Sequence, residues 1–330
     1  MLIAALLAVI PLAAQTPVQT PQPSFEDFLA GLRVEAAGKG ISQATIDAAL
    51  TGVELLPVAV ERDRTQPETI VSLDEYVARR VTPKVIKNAN DVATQHAELL
   101  KRVEAEYGVP PNVLIAVWGV ESNFGSFTGT RPTIAALATL AYDGRRALFR
   151  NELFDALKIV DAGHITVDQL KGSWAGAMGQ PQFMPSSYLK YAVDFDKDGR
   201  ADIWTTPADV FGSIANYLKQ YGWAANQRWG REVKLSKAAQ GKIDHAVPMR
   251  TGSCKAQREM TVTRTAKEWS KLGAKLPNGK SLPKSDPTAS LVRGDKRFFL
   301  VYTNFDALLA YNCSNSYAVT IGLLSDQIKP

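Results

Sequence analysis

The sequence predicts an α+β protein that is mainly helical and carries one small strand-containing insertion. Apolar residues recur at helical spacing from residue 25 to about 105 and again from 112 to 225, where Gly/Pro-rich turns interrupt them. From Arg231 to about Tyr302 the pattern changes to short alternating segments rich in Val, Thr and Phe. No internal repeat is present, so segregated helices and strands are expected.

The first residues predict export. Leu2 to Ala14 is an apolar run that is too short to span a membrane and ends in small residues, which is typical of a cleaved signal peptide. No Lys or Arg precedes the run, which is atypical for such a signal. Thr16 to Pro23 is a Pro/Gln/Thr linker. No Cys lies near the cleavage site, so we expect a soluble periplasmic protein without a lipid anchor or transmembrane segment.

Residues 24–105 are predicted as a helical region. Its first helix carries Phe25, Phe28, Leu29 and Leu32 on one face. A second helix is expected to begin at Ser42, and Ser72–Glu75 resembles a capping box just before Tyr76.

A catalytic core is predicted at residues 106–229, and it begins with a buried helix that ends in a carboxylate. Val113–Val120 contains no charged residue, which is typical of a helix buried on every face. Pro110 and Pro111 favour its start and Gly125 its end. Glu121 is thereby placed at the C-terminal end of a buried helix.

This position gives Glu121 the properties of a general acid. Desolvation and the negative end of the helix dipole both favour the protonated carboxylic acid. A carboxyl group that stays protonated near neutral pH is what acid catalysis requires. The alternative is a structural buried glutamate that is paired with Arg131 or Arg145.

The segment 171–186 is expected to contact a ligand that is both polar and apolar. Its glycines allow close backbone approach. Ser173 and Gln182 offer hydrogen bonds, while Trp174, Met178 and Phe183 offer apolar surface. That mixture suits a sugar ring, which has hydroxyl edges and apolar faces. The alternative is a glycine-rich connector between helices.

The segment Asp194–Asp202 resembles the start of an EF-hand calcium loop. Asp194, Asp196 and Asp198 occupy loop positions 1, 3 and 5, and a Gly follows at position 6. Arg200 would contribute its backbone carbonyl, but position 12 is Thr205 instead of Glu. Asp202 or Asp209 is expected to complete the shell, and a bound ion would be structural. The alternative is an acidic turn without metal.

The insertion is predicted at residues 230–303, followed by C-terminal helices at 304–330 that complete the core. Strands are expected at Glu259–Thr265, Thr288–Arg293 and Arg297–Thr303, with a short helix at Ala266–Leu272. Helices are expected again at Phe305–Asn312 and Tyr317–Leu324.

Composition excludes several classes of protein. The net charge of +5 is mild and spread along the sequence without a dense Lys/Arg block, so nucleic acid is a poor partner. The three histidines lie far apart and show no zinc spacing, and no phosphate-binding loop or serine elbow is present. Cys254 and Cys313 form either one disulfide or two unrelated thiols; expected export favours the disulfide.

Taken together, these motifs resemble the lytic murein transglycosylase B family, the lysozyme-like glycoside hydrolase family 103. The resemblance rests on five ordered segments and covers about residues 25–325: Gly119–Gly125, Gly172–Gly179, Gln182–Ser186, Ala215–Leu218 and Tyr311–Ser314. It implies a lysozyme-like catalytic core.

The resemblance also implies roles for individual residues. Glu121 corresponds to the sole catalytic acid and base of the family. The predicted substrate-binding residues, which combine those implied by the resemblance with those we assign, are Tyr76, Ser173, Gln182, Tyr311, Asn312, Tyr317, Arg145, Arg146, Met178, Phe183 and Tyr217. The family's calcium loop corresponds to Asp194, Asp196, Asp198, the Arg200 carbonyl and Asp209.

The implied activity is cleavage of peptidoglycan between N-acetylmuramic acid and N-acetylglucosamine, with formation of 1,6-anhydro ends. The resemblance implies that the chemistry requires no cofactor and that any Ca²⁺ is structural. The expected partner is the glycan strand, and the enzyme is expected to be a monomer. Two alternatives stay open: a hydrolytic muramidase and a non-catalytic peptidoglycan-binding protein.

Overall fold

A computed structural model describes residues 23–65 and 71–329 of the chain. In these ranges the first nine helices are α1 (Phe25–Gly38), α2 (Gln43–Leu50), α3 (Pro57–Arg64), α4 (Leu73–Arg80), α5 (Pro83–Gln95), α6 (Ala97–Tyr107), α7 (Pro111–Ser122), α8 (Thr133–Asp143) and α9 (Leu148–Asp161). The later helices are α10 (Pro185–Tyr191), α11 (Pro207–Gln220), α12 (Lys237–Ala246), α13 (Lys255–Arg258), α14 (Ala266–Leu272), α15 (Thr303–Tyr311) and α16 (Asn315–Ser325).

The strands are few and short, which confirms the mainly helical α+β prediction. They are β1 (Arg131–Pro132), β2 (Lys171–Gly172), β3 (Gly230–Val233), β4 (Ser290–Arg293) and β5 (Phe298–Val301). β1 pairs with β2, and β3, β5 and β4 form an antiparallel sheet in that order. The predicted signal peptide lies outside the described residues, as does the linker up to residue 22.

Helix α7 is the centre of the largest core. Leu114, Ile115, Ala116 and Val117 are all fully buried in it, as the all-apolar sequence predicts. α16 and α5 pack directly on α7, and α4 packs on α16. Phe305 from α15 and Phe299 from β5 join the same core. The helix that carries Glu121 is therefore held on several sides.

A second core lies under α1, α2, α8, α9 and α10, and its members include Leu32, Leu137 and Leu157. The predicted helix start at Ser42 is confirmed, since its side chain caps α2, and Ser24 caps α1 in the same way. Ser72 likewise accepts from the Glu75 N–H at 3.4 Å, which is one half of the predicted capping box.

The insertion has a third core around Trp269, Phe298 and Leu300. The helix predicted at Ala266–Leu272 is confirmed with the same ends. The strand predicted at Glu259–Thr265 is wrong: only Thr261 and Arg264 make isolated bridges there, because this segment pairs with a different partner at each end. β3, α12 and α13 were not predicted.

Two of the three cores cross predicted boundaries, while the third lies within residues 230–303. The largest core draws on Leu73, Leu114, Val292 and Phe305, one from each predicted unit that the structure describes. The division into units therefore stays a prediction. Among the described residues no helix is both long and apolar enough to cross a membrane.

Candidate active site

Glu121 lies in the last turn of α7. The helix ends at Ser122, three residues before Gly125, because Asn123 and Phe124 already adopt left-handed backbone angles (φ 49° and 58°). The Ser122 hydroxyl accepts from the Gly125 N–H at 3.0 Å and closes this turn. The turn is fixed by local hydrogen bonds, so the position of Glu121 is fixed with it.

The Glu121 carboxylate accepts a hydrogen bond from the phenol of Tyr317, with 2.6 Å between Oη and Oε1. Tyr317 is buried in the first turn of α16, and burial together with the charge of Glu121 raises its pKa well above the ordinary value. The phenol therefore keeps its proton and donates it. Arg145, which was considered as an alternative partner of Glu121, forms ion pairs with Asp63 and Asp143 instead.

A row of aromatic rings connects Tyr317 to the 171–186 segment. The Tyr311 ring stacks on Tyr317 at 6.4 Å, and Tyr217 lies 4.7 Å from Tyr311. The Tyr311 hydroxyl donates to the Pro181 carbonyl at 2.7 Å. This bond fixes the end of α15 against the turn that holds Gln182.

Ser173 and Gln182 lie on a compact loop that β2 begins. Ser173 Oγ accepts from the N–H groups of Ala175 and Ala177, at 3.2 and 3.1 Å. These two bonds leave the hydroxyl proton for another acceptor. Gln182 has a left-handed backbone (φ 51°), and its amide NH₂ donates to the carbonyls of Thr128 and Gly179. These two fixed acceptors orient the amide and thereby its side-chain carbonyl.

Gln180 was missed as a site residue by the sequence analysis. Its side chain accepts from the buried Trp118 indole at 2.8 Å and donates to the Trp204 carbonyl at 2.8 Å. It joins α7 to the segment that follows the acidic loop. The only sequence signal is an amide between two turn residues, Gly179 and Pro181.

A groove of about 680 Å³ runs between the helical body and the insertion. The body contributes Arg146, Phe149 and Trp174, and the insertion contributes Lys255 and Arg293. Residues 312–316 form the wall between them. Glu121 does not line this groove itself; Asn312 does, and it directly follows Tyr311. Aromatic, amide and basic side chains thus meet in the groove, whose wall at Ser316 is one residue away from Tyr317, the partner of Glu121.

The predicted basic pair is split by the structure. Arg146 lines the groove and also pairs with Asp63 at 3.2 Å. Arg145 is held by Asp63 and Asp143. Tyr76 is buried, with the Arg80 guanidinium 3.6 Å from its ring centroid, and it is among the groups that raise the pKa of Tyr317. Tyr76 therefore lies in the surroundings of the Glu121–Tyr317 pair.

Three predicted substrate contacts are corrected by burial. Met178, Phe183 and Tyr217 belong to the second core and expose 0, 2 and 6 % of their surface. The Tyr217 hydroxyl is used internally, since it donates to the Ala310 carbonyl at 2.7 Å. These side chains support the loop and the tyrosine row from below and do not offer surface to a ligand.

The acidic loop brings three of the predicted calcium ligands together. Carboxylate oxygens of Asp194, Asp196 and Asp209 lie within 4.8 Å of one another. Asp209 is fully buried, and burial followed by the charge of Asp196 raises its pKa. Asp198 is not in this group; its carboxylate accepts from the Arg200 N–H at 2.9 Å.

Arg200 and Asp202 do not belong to this group of carboxylates, and both make hydrogen bonds within the loop. The Arg200 carbonyl accepts from the Asp202 N–H at 3.1 Å. Asp202 binds the Arg200 guanidinium and the Thr205 hydroxyl, each at 2.6 Å, so it does not complete the shell. Converging hard oxygen ligands with one buried carboxylate fit the chemistry of Ca²⁺.

Cys254 and Cys313 form a disulfide, with 5.9 Å between their Cα atoms. Cys254 precedes α13 of the insertion, and Cys313 lies in the groove wall between α15 and α16. Asn315 adds a second link, because its amide donates to the Ala256 carbonyl at 2.9 Å. The insertion is therefore fastened to the wall beside Tyr311 and Asn312.

Comparison with known proteins gives concordant results. The model of the transglycosylase SLT domain family matches residues 24–326. The chain is 41 % identical over 150 residues to membrane-bound lytic murein transglycosylase B of Escherichia coli K12. That alignment covers 45 % of this chain and 41 % of the relative, less than half of its length.

Solved structures extend the similarity over most of the chain. SltB3 from Pseudomonas aeruginosa, in complex with NAG-anhNAM-pentapeptide, is 40 % identical with a TM-score of 0.81, over 92 % of this chain and 79 % of that one. Escherichia coli lytic transglycosylase Slt35, in complex with calcium, is 27 % identical with a TM-score of 0.75, over 93 % and 92 %. These similarities confirm the predicted fold class.

Proposed function

We propose that this chain, which belongs to the transglycosylase SLT domain family, is a lytic transglycosylase. Its substrate is the β-1,4 bond between N-acetylmuramic acid and N-acetylglucosamine in peptidoglycan. One observation supports this proposal most: the buried helix α7 ends in Glu121, and the carboxylate of Glu121 accepts a hydrogen bond from the neutral phenol of Tyr317 at 2.6 Å. The relative SltB3 binds a ligand that contains an anhydro sugar and a peptide.

In the first step, Glu121 acts as general acid. Its carboxyl proton is transferred to the glycosidic oxygen as the bond to the anomeric carbon breaks. Cleavage leaves positive charge on the muramic ring and a carboxylate on Glu121. The Tyr317 hydrogen bond stabilises this new carboxylate at the moment when it forms.

In the second step, the same carboxylate acts as general base. It takes the proton from the muramic 6-hydroxyl, whose oxygen attacks the anomeric carbon of its own ring. The product is a 1,6-anhydro end, and Glu121 regains its proton, so no water is consumed. Intramolecular attack benefits from proximity, and the reaction needs a single carboxylate.

Ser173, Gln182 and Asn312 are proposed to position the sugar. The Ser173 hydroxyl has its proton available for a carbonyl oxygen, and the Gln182 side-chain carbonyl is oriented to accept an N–H. An acetamido group offers both partners. Arg146 at the groove wall suits the carboxylate of an attached peptide.

A hydrolytic muramidase would use the same groove but give a different product. Mass spectrometry of fragments released from purified sacculi separates the two activities, since the anhydro product is lighter by one water. We expect anhydro ends. Reducing ends as the main product would support the muramidase, and no release of fragments would support a binding protein.

Removing the Tyr317 hydroxyl tests whether its hydrogen bond to Glu121 contributes to catalysis. Tyr317→Phe is expected to lower turnover by about tenfold or more, since a hydrogen bond to a charged group is lost. The carboxylate form of Glu121 also loses its donor and forms less readily. The alkaline limb of the rate profile should therefore move to higher pH.

The pH dependence of kcat/KM is the measurement, and Tyr107→Phe on α6 is the control because that hydroxyl lies on another helix. An unchanged alkaline limb in Tyr317→Phe would contradict the proposed contact in solution.

A structural Ca²⁺ is part of the same proposal. Asp194, Asp196 and Asp209 would hold the ion, and its charge would offset the repulsion among them. The Slt35 relative binds calcium. The loop is connected to the Gln182 turn, since the Gln180 N–H donates to the Ile203 carbonyl at 2.9 Å. The ion would stabilise that turn and take no part in the chemistry.

Calcium added to chelator-treated protein should raise its thermal midpoint. At a calcium concentration one hundred times the dissociation constant, linkage gives about 2.7 kcal/mol of added stability. Asp196→Asn should abolish the shift, and Asp295→Asn, an exposed carboxylate of the insertion, should keep it. A titration without binding heat or midpoint shift would exclude the site.

The proposed location is the periplasm, with the enzyme acting as a monomer on the wall. The signal-like run at Leu2–Ala14 supports export. The Cys254–Cys313 disulfide suits an oxidising compartment.

A further inference from the structure

The positive charge of the chain is concentrated in the insertion. Residues 230–303 contain 16 Lys and Arg against 6 Asp and Glu, a net charge of +10 (16 minus 6). The rest of the chain contains 22 basic and 27 acidic residues, a net charge of −5 (22 minus 27). The view that the charge is spread along the sequence is therefore wrong.

Most carboxylates of the insertion already form ion pairs or cap a helix. Glu232 pairs with Arg297, Asp244 with Arg293, and Glu268 caps its own helix through Thr265. By contrast, nine exposed lysines of the insertion form no ion pair with any carboxylate that the structure describes. They are Lys234, Lys237, Lys242, Lys267, Lys271, Lys275, Lys280, Lys284 and Lys296.

Three of these lysines line one cleft of about 760 Å³, which we call the lysine cleft. Lys267 and Lys271 lie one turn apart on α14, and Lys284 faces them from the segment that follows α14. Four residues with hydroxyl groups line the same cleft: Thr265, Ser270, Ser281 and Thr288.

The acidic residue of the lysine cleft is neutralised. Asp286 lines the cleft, but the Arg231 guanidinium binds it at 2.6 Å, and this pair is largely shielded from solvent. The cleft therefore has an excess of three positive charges. Ammonium and hydroxyl donors in a concave site are suited to small anionic groups such as carboxylates.

Other polyanions fit the lysine cleft less well. Trp269 of α14 is fully buried, and no aromatic side chain lines the cleft for base stacking. Met249 is the only large hydrophobic residue exposed in the insertion, and it does not line the cleft. A membrane-bound face usually combines basic residues with apolar ones that enter the bilayer.

The segment that contains β4 connects the lysine cleft to the groove. Thr288 lines the cleft just before β4, and Arg293 at the other end of β4 lines the groove. Five residues of extended chain span about 17 Å. A polymer that occupies the groove is therefore close enough to place its side groups near the cleft.

We propose that the lysine cleft binds the free carboxylates of peptides attached to peptidoglycan, outside the groove beside Glu121. The choice of peptidoglycan as the polymer rests on the proposed function, whereas the presence of a basic cleft follows from the structure alone. The cleft would hold the enzyme on peptide-bearing wall while the groove handles the glycan.

Sedimentation with purified sacculi tests this proposal, in a Glu121→Gln background that prevents cleavage during the measurement. The cleft variant is K267E/K271E/K284E. The matched control is K101E/K237E/K242E, which changes the net charge equally at exposed lysines outside the cleft. At low salt the cleft variant should bind about tenfold more weakly, while the control stays within about twofold of the parent.

Two further surfaces identify the ligand. On glycan freed of peptides by an amidase, parent and cleft variant should bind equally. On vesicles of phosphatidylglycerol, neither should bind measurably. Equal binding of both variants to intact sacculi would overturn the proposal, as would a cleft effect that persists on peptide-free glycan or that appears on the vesicles.

In a separate experiment, the cleft variant is made with Glu121 intact, and its turnover of a soluble, peptide-free glycan is measured. Normal turnover is expected, because the cleft lies outside the groove. If the wild type itself showed no turnover, the proposed function would be refuted, but the result of the binding experiment would be unaffected.

Discussion

Glu121→Gln should lower peptidoglycan turnover by about a thousandfold, within the range that general acid–base catalysis contributes. The amide has no proton to give to the glycosidic oxygen and no carboxylate to take one back. Its carbonyl still accepts from Tyr317, so the hydrogen bond at the end of α7 is kept. The fold and thermal midpoint should therefore stay unchanged, which separates loss of chemistry from loss of structure.

Release of soluble fragments from purified sacculi is the measurement. Glu98→Gln, the same change at an exposed position on α6, is the control and should keep full activity. Glu121→Asp keeps the acid but shortens it by one methylene, so it should retain part of the turnover. Full activity in Glu121→Gln would remove Glu121 from the mechanism.

Replacing both cysteines should have the largest effect on stability. The disulfide joins residues 59 positions apart, and closing a loop of that length is worth about 4 kcal/mol in the chain-entropy view. Cys254→Ser/Cys313→Ser should therefore lower the free energy of unfolding by about 4 kcal/mol at most. Urea denaturation followed by tryptophan fluorescence measures the change.

The reduced wild type is the matched control. A reductant should lower the urea midpoint of the wild type to that of the double variant and leave the variant itself unchanged. If the reductant destabilised the variant equally, or if both proteins unfolded at the same urea concentration without it, the disulfide would not contribute as proposed.

Sequence reasoning succeeded where one local rule decides the structure. Val113–Val120 is apolar on every face, so its burial in the core follows directly. Thr265 and Glu268 form a capping box that fixes the start of α14, and this helix was predicted with its observed ends.

The sequence did not predict the structure where contacts between residues far apart in the chain determine it. β3 is too short to show alternation, and it forms because β5 lies beside it. Met178 and Phe183 looked like ligand surface in a glycine-rich loop, but that loop folds back on itself through the Met178–Phe183 bridge. The contact of Tyr317 with Glu121 spans 196 positions, and no local pattern encodes its distance.

Charge was misjudged for a different reason. A net value of +5 for the whole chain hides opposite signs in its parts, because the insertion's positive excess is partly offset by a negative excess in the rest of the chain. The insertion was already predicted at residues 230–303, so its charges could have been counted from the sequence; the structure adds that this segment has its own core.

The amide of Gln180 connects two regions that would otherwise respond independently. One of its atoms binds the acid-bearing helix through Trp118, and the other binds the segment after the calcium loop through Trp204. If ion occupancy tightens a sugar in the groove by some factor, thermodynamic reciprocity requires that the sugar tighten the ion by the same factor. Glycan bound in the groove would then retain calcium when the surrounding calcium concentration falls.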